Sequence, residues 1–594
     1  MERVADYVIR KVNEAGVGHI FLITGRGILY LTDAVAKNKN VTAVSTYHEQ
    51  GASYAAMAYS AETHKPAACL VSTGCAATNA VTACLCAYQD NLPVLFISGN
   101  NPLAENTRHT GVPIRTYGSQ ETDIISIVSS CTKYAVMLED KEMVVSEVEK
   151  ALFIAQNARK GPVWIDIPLD VQNMRIDDTQ LPHFEPDRND KINLLDDVSK
   201  IAEEINQASR PVLLIGGGTK DSKKLVAEFV ENANIPVTFS PSACDVYGTF
   251  NELSIGAVGS IGGSRAGNFV VQNADYILAL GTKLCSQMTG MKQAFARSAK
   301  ITVVDIDPIE HTKNGVHIDE IINADVTDFL TELISQKNIT VDPAWQDKCK
   351  LWKEKFSIDN ENFIQELRSN DELDIYSVAN ILSNVLPNDA AVITDAGFEE
   401  LIIPSTIKFR SGQCCLFPAS QGSMGYAIPA IIGAFTSGRK NIFCVVGDGS
   451  FMMNMQELGI ISAMKIPAKI FVINNNMYAV IKKRQKDLFR TRTIGNDPSD
   501  GLPAPDFSKI ADCFGCDYKK ISSQSQFERE VKDICHQDRL MLIEVMCTSD
   551  QKYFHESYAM NEKRKLVHRP IEDMSPFLSR EIIKNEMIVD MMED

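Results

Sequence analysis

Three α/β domains, each a parallel sheet with helices wound on both faces, followed by a helical C-terminal tail, are the architecture predicted for this 594-residue chain. Three observations predict it. Short β-rich apolar runs ending in Gly, Asp or Ser alternate throughout with segments of helical period, as in repeated βαβ units whose strands are buried on both sides. Polar, turn-rich stretches without periodicity divide these units into blocks of ordinary domain size. A hydrophobic content of 45% over this length is enough for several cores.

The first block is residues 1–172. It opens on an amphipathic helix pattern at Met1-Glu2-Arg3-Val4-Ala5-Asp6, and its expected strands are 41–46, 67–72, 94–98 and 163–167, with a small-residue helix over 50–61. Residues 173–192, with Asp177-Asp178, Pro182 and Pro186-Asp187-Arg188, read as a linker. The second block, 193–340, has strands expected at 211–215, 236–239, 276–280 and 301–306, and closes in a polar stretch. A charged helical stretch, 345–368, leads to the third block, 370–550, with strands expected at 391–394, 442–446, 469–473 and 541–545. In the tail, 551–594, Ser575-Pro576-Phe577-Leu578 reads as a helix start with Ser575 as N-cap and Pro576 at the first helical position.

Composition excludes several function classes. The 59 Lys and Arg against 76 Asp and Glu leave a formal charge of -17, which repels polyphosphate backbones and anionic lipid, so neither nucleic acid nor membrane is an expected partner. The apolar runs are strand-sized, far below the ~20 residues needed to cross a bilayer. The N-terminus lacks the basic start and long apolar stretch of a signal peptide, and a cytoplasmic location is the expectation. Most of the fifteen cysteines lie in apolar stretches, as reduced thiols do, and the lone Cys513-Phe514-Gly515-Cys516 pair lacks a second pair or a His pair, so it reads as helix-end packing.

The clearest chemistry lies in the third block. Asp448 ends an apolar strand between Gly447 and Gly449, a helix pattern follows over 451–464, and the next strand ends in Asn474-Asn475-Asn476. One βαβ crossover of this length brings the carboxyl ends of neighbouring parallel strands to one sheet edge, where open α/β sheets bind ligands. An Asp carboxylate, an Asn amide oxygen and a backbone carbonyl make a hard, all-oxygen donor set suited to Mg²⁺ that also holds phosphate oxygens. The flanking glycines permit close backbone approach, and Ser450 at the following helix start offers amide donors to an anion. Taken alone, Gly-Asp-Gly is also an ordinary strand-end turn and an Asn run an ordinary cap. In the first block, Glu49 in Tyr47-His48-Glu49-Gln50 stands at a strand's carboxyl end before the small-residue helix; alone, it is also a helix-start charge.

Gly447-Asp448-Gly449-Ser450-Phe451 with Asn474-Asn475 resembles the thiamine-diphosphate signature. Nearly the whole chain is similar to the acetohydroxyacid (acetolactate) synthases, from Ile23-Thr24-Gly25-Arg26-Gly27 through Gly74-Cys75-Ala76-Ala77-Thr78-Asn79 to Gly161-Pro162-Val163-Trp164-Ile165-Asp166-Ile167-Pro168. The resemblance implies thiamine diphosphate as cofactor, with Mg²⁺ on Asp448, Asn475 and the Met477 carbonyl. It implies Gly25, Gly27, Gly397, Gly422, Met424, Gly447, Gly449, Ser450, Met477 and Tyr478 around the cofactor, with Gly422 accepting from the 4'-amino group and Met424 propping the bent cofactor. Glu49 and Gln120 are catalytic residues it implies, Glu49 as the acid that activates the pyrimidine; His109 is a further catalytic candidate, in a segment those synthases lack. The implied reaction is decarboxylation of pyruvate or a similar 2-keto acid and transfer of the acyl unit to a second carbonyl, in a homodimer or homotetramer.

The match weakens on the substrate side. Asp395-Ala396-Gly397-Phe398-Glu399 replaces Gly-Gln-His, and a glutamate there would repel a diphosphate unless it points away. Cys75-Ala76 replaces Pro-Gly, Ser119 a Phe and Leu169 a Lys, while Arg108-His109-Thr110 is similar to the histidine segments of keto-acid decarboxylases; His109 reads equally as a surface or capping histidine. Arg115-Thr116-Tyr117-Gly118-Ser119-Gln120-Glu121 and Arg569-Pro570-Ile571-Glu572-Asp573-Met574 resemble relatives that work on nucleotide-linked keto sugars. Transfer to such a sugar, or simple decarboxylation, is therefore the alternative. The central block keeps Gly216-Gly217-Gly218 and Asp305-Ile306-Asp307, where the synthases bind FAD, but Lys283-Leu284-Cys285-Ser286 replaces Arg-Phe-Asp-Asp, so bound FAD and an empty or nucleotide-holding domain both stay open.

Overall fold

The computed structural model describes residues 1–186, 193–336, 338–560 and 565–592. Each block forms one six-stranded, wholly parallel sheet. The first runs, across the sheet, Thr42–Ser45, His19–Leu22, Ala67–Val71, Val94–Asn100, Val163–Pro168, Tyr134–Met137. The third runs Cys414–Leu416, Ala391–Ile393, Ile442–Gly447, Lys469–Asn474, Met541–Met546, Asp517–Ile521. With strands numbered in chain order within each six-stranded sheet, both sheets read 2-1-3-4-6-5. The central sheet, from Ser254–Ala257 through Pro211–Ile215 and Tyr276–Leu280 to Glu320–Asn323, reads 3-2-1-4-5-6, the order of dinucleotide-binding folds. In all three the order reverses beside the first strand and opens a crevice at the carboxyl ends there.

The first and third domains join through helices. Helix Glu49–Thr63 is buried over ten consecutive residues because it is sandwiched between its own sheet and helix Ala427–Thr436. Its small residues make the approach possible: a Cβ at Gly433 would stand 2.2 Å from the Ala55 carbonyl oxygen, and one at Gly51 2.5 Å from Glu457 Oε1. The tail lies on the central domain. Glu556 bridges Ile261 and Ser575, and helix Arg580–Glu586 docks Glu586 onto Trp352 Nε1 (2.8 Å) and Lys348 Nζ (2.7 Å).

Several expectations need correction. No continuous helix spans 451–464: Asp448–Phe451 is one turn, and helix Leu458–Ala463 starts afresh after Asn454, whose amide is turned to Gln50 Oε1 (2.9 Å) and the Gly425 carbonyl (2.8 Å). Ser575 is not an N-cap. Its backbone pairs with His555 and Glu556, and the tail helix begins at Arg580 under Ser579, whose Oγ accepts from the Ile582 amide at 3.2 Å. The stretch 345–368 breaks into Pro343–Lys355 and Asn362–Ser369. The linker 173–192 is partly structured, since Arg175–Ile176 pairs antiparallel with Glu2–Arg3; residues 187–192 lie outside the described residues. Helix Phe507–Phe514 ends on Gly515 in the left-handed region with Cys516 buried behind it, and no disulfide forms among the described cysteines. No described helix is long and apolar enough to cross a membrane.

Candidate active site

Asp448 opens a single turn at the carboxyl end of Ile442–Gly447, beside the end of Lys469–Asn474, to which that strand is paired. It is 6% exposed; Oδ1 accepts from the Gly449 amide at 2.7 Å, and Oδ2 is buried with no partner. Burial pushes its carboxyl up to about 6, against the downward pull of the amides of Gly449, Asn476, Met477 and Asn475 that face it. The two loops therefore meet. In the asparagine run, Asn474 is turned into the sheet, donating to Glu544 Oε1 at 2.7 Å, while Asn475 Oδ1 caps the Met477 amide at 3.2 Å. Tyr478 lies against Gly449, where a Cβ would stand 1.8 Å from its ring, so only glycine fits there.

A buried carboxylate oxygen that makes no hydrogen bond, although loop amides face the group, is an arrangement that a cation completes. Among the described residues no group of three or more His, Cys, Asp and Glu side chains forms a metal site, so a cation here needs the mixed set of carboxylate, amide oxygen and carbonyl. The set at Asp448, Asn475 and Met477 fits that description.

Around it, the hydroxyl of Ser450 is committed inside the protein rather than turned to a ligand. It donates to Asp395 Oδ2 at 2.6 Å and accepts from the Gly425 amide at 2.8 Å, tying the cradle to the loop of Gly422 and Met424. Asp395 is wholly buried, and burial pushes it up to about 6. Gly397, at φ 102, gives its carbonyl to the Tyr553 hydroxyl at 2.9 Å, and Gly422 has φ 52 with Glu400 packed against it. Met424 is half-buried in the same loop.

Glu399 points inward, not away. A Cβ at Gly397 would lie 2.5 Å from its Oε2 and one at Gly447 3.3 Å from its Oε1. Burial, with the charges of Asp395 and Asp448 adding to it, pushes Glu399 up to about 8, which favours its uncharged form beside the cradle.

At the crevice of the first sheet a second group gathers. Half-buried Glu49 opens helix Glu49–Thr63, and its Oε2 accepts from Asn79 Nδ2 at 3.0 Å. Gly25 and Gly27 pack on Ser72 and Thr73, and Gly74, at φ 65, on the carbonyl of Gln120. Gln120, itself at φ 63, is exposed and held from behind by a buried chain. Trp164 Nε1 donates to Ser98 (2.8 Å), Ser98 to Asp166 (2.6 Å), Asn100 to Asp166 (2.8 Å) and to the Thr122 carbonyl (3.0 Å), and Asn101 to the Ser119 carbonyl (2.8 Å). His109 sits on an exposed turn with Nε2 3.7 Å from Glu139 Oε1. Glu121 fixes that turn, accepting from the Thr107 hydroxyl at 2.6 Å and the Tyr117 amide at 3.4 Å.

Sequence reasoning missed Glu457. Buried, it accepts from the amides of Tyr47 (3.1 Å) and His48 (3.0 Å), so a carboxylate nine residues beyond Asp448 anchors the segment that carries Glu49. No local pattern announces a side chain that bonds a backbone some 410 positions away.

The comparisons agree with this layout. The N-terminal binding domain, the central domain and the C-terminal binding domain of thiamine pyrophosphate enzymes match residues 2–127, 198–333 and 395–545. The acetolactate synthase large subunit of Porphyra purpurea is 30% identical over 559 residues, covering 91% of each chain. The acetolactate synthase isozyme 1 large subunit of Escherichia coli (strain K12) is 28% identical over 552 residues, covering 93% of this chain and 95% of its own.

Proposed function

Because the chain belongs to the thiamine pyrophosphate enzymes, of the acetolactate-synthase-like type, we propose that it decarboxylates pyruvate or a similar 2-keto acid and transfers the acyl unit to a second carbonyl. The observation that carries the reading is the buried, unpartnered Oδ2 of Asp448 beside the Asn475 loop, on a cradle where Gly449 admits no side chain. In this reading Asp448, Asn475 and the Met477 carbonyl would hold Mg²⁺, and Gly447 and Gly449 would receive the diphosphate, with Glu399 beside it. Thiamine diphosphate, when bound, supplies the electron sink that decarboxylation and acyl transfer require. Glu49 would hold a proton at the pyrimidine, Gly422 would accept from its amino group and Met424 would pack against the cofactor. Gln120, flanked by the Ser119 and Thr122 carbonyls that Asn101 and Asn100 bond, would orient the acceptor carbonyl, and His109, beside Glu139, would exchange protons with the substrate.

A second copy of the chain completes the site. Within the chain the carboxylate of Glu49 is bonded to Asn79, and large apolar side chains stand exposed beside both half-sites: Tyr47 at 63%, Tyr117 at 61% and Met453 at 48%. In the central domain a cavity of about 540 Å³, lined by Gly217, Gly218, Ser242, Thr282, Lys283 and Asp305, is the proposed seat of FAD or another nucleotide. Its Lys283 already donates to the Gln89 carbonyl (2.6 Å) and to Ser420 (3.2 Å), tying all three domains together there.

The test is product analysis by mass spectrometry on purified protein given pyruvate, thiamine diphosphate and Mg²⁺, with and without acceptor ketones. The expected result is cofactor-dependent CO₂ release and a carbon-carbon coupled product. Release of aldehyde alone in the presence of every acceptor would favour simple decarboxylation, and no cofactor-dependent CO₂ release would overturn the reading.

A further inference from the structure

Helix Ala479–Phe489 leaves the candidate metal loop directly after Tyr478, and alone among the α-helices of the described residues it has no buried residue. Its charge is opposite to that of the protein. The chain carries 59 cations against 76 carboxylates, yet residues 482–492 hold Lys482, Lys483, Arg484, Lys486, Arg490 and Arg492 with one carboxylate, Asp487. Part of this charge is neutralised locally: Lys482 pairs with Asp497, Lys483 with Asp487 (2.9 Å) and with Glu556 of the tail (3.6 Å), and Arg484 lies in the field of Glu556. Lys486, Arg490 and Arg492 are exposed and form no ion pair with a described carboxylate.

Two further features set the segment apart from a merely solvated face. Arg490 ends the helix at φ 62, where glycine is the least strained residue, so an arginine stands at a strained cap. Beside it stand Leu488 at 66% exposure and Phe489 at 52%, an aromatic face next to guanidinium groups. Guanidinium forks match phosphate oxygens in pairs, and an exposed aromatic face takes a base by stacking. A polyanionic polymer or lipid surface is disfavoured by the rest of the molecule, whereas one small anionic group is attracted to this cationic patch.

We propose that this segment binds a nucleoside diphosphate group carried by the acceptor substrate, with Lys486, Arg490 and Arg492 on its phosphates and Phe489 on its base. The proposal rests on the active-site reading above, because it takes its position from the adjoining metal loop. It names the acceptor class as a nucleotide-linked carbonyl compound.

The probe is uridine 5'-diphosphate, titrated calorimetrically into the holoenzyme preloaded with thiamine diphosphate and Mg²⁺, so that the cofactor's own diphosphate site is filled. Expected are binding that weakens with added salt and a roughly tenfold or greater loss of affinity in R490Q/R492Q and in K486Q/F489A. Absence of binding to the wild-type holoenzyme would overturn the proposal, as would equal affinity in the variants, which would put the nucleotide in the central cavity. Dissociation of the R490Q/R492Q oligomer in sedimentation would overturn it too, by making the patch a contact between copies. Cofactor-dependent CO₂ release from pyruvate by the wild-type enzyme is read separately, so failure of the acceptor proposal and failure of the catalytic reading are told apart.

Discussion

One oxygen atom concentrates the chemistry at the residue scale. Oδ2 of Asp448 is out of water and makes no hydrogen bond, a costly state for a carboxylate unless a cation completes it. Asp448→Ala is expected to weaken Mg²⁺-dependent binding of thiamine diphosphate roughly tenfold or more by calorimetry, and unchanged affinity would remove Asp448 from the metal site. Asp448 and Asn475 were legible in the sequence because their spacing is a property of one βαβ unit. Glu399 was legible as a residue but not in its direction, which depends on the space left by Gly397 and Gly447. Asp166 offers a pH test away from the cradle. Burial pushes it up to about 6 from the ordinary 3.8 despite its bonds to Ser98 and Asn100. An acid whose folded pKa is raised favours the folded state while protonated; its contribution is intact below 3.8 and is lost as pH rises through about 6. Asp166→Asn is expected to lack this share of the decline, so the stability difference between variant and wild type should change between about pH 4 and about pH 6 in thermal melts. A difference constant with pH would contradict the assignment.

At the scale of elements, the join between helices Glu49–Thr63 and Ala427–Thr436 is set by small side chains. Gly433→Val would drive a branched side chain into the Ala55 carbonyl and Ala58, and a loss of about 1–3 kcal/mol, read as a lower denaturant midpoint, is expected. An unchanged midpoint would mean that the helices re-seat freely. Central strands such as Val94–Asn100 and Lys469–Asn474 were legible because burial on both faces leaves an uninterrupted apolar run. The edge strands Tyr134–Met137 and Asp517–Ile521 were not, since one is half-buried and the other mostly exposed and charged. The helix expected over 451–464 failed for a long-range reason: Asn454 is drawn to Gln50 and Gly425, on partners that local periodicity cannot register.

The whole molecule repeats one strand order at its two ends and sets a dinucleotide-type sheet between them. That plan was legible as three α/β blocks; the equality of the outer sheets was not, because strand order is decided by crossovers rather than by composition. If Glu49 of one copy serves the metal loop of another, inactive Glu49→Gln and Asp448→Ala proteins, mixed after dissociation and reassembly, should recover roughly a quarter of wild-type turnover, since half the random dimers hold one intact site. No recovery would assign both groups to one chain. The carboxylate of Glu457 adds something to that picture. Bonded to the backbone of Tyr47 and His48, it ties the metal-loop half of the chain to the glutamate half as one mechanical piece. In a dimer whose pockets each borrow from both chains, a displacement felt by the phosphate end of one coenzyme would be handed through this joint to the acid that serves the other. The two reaction centres would then keep time with each other rather than turn over as strangers.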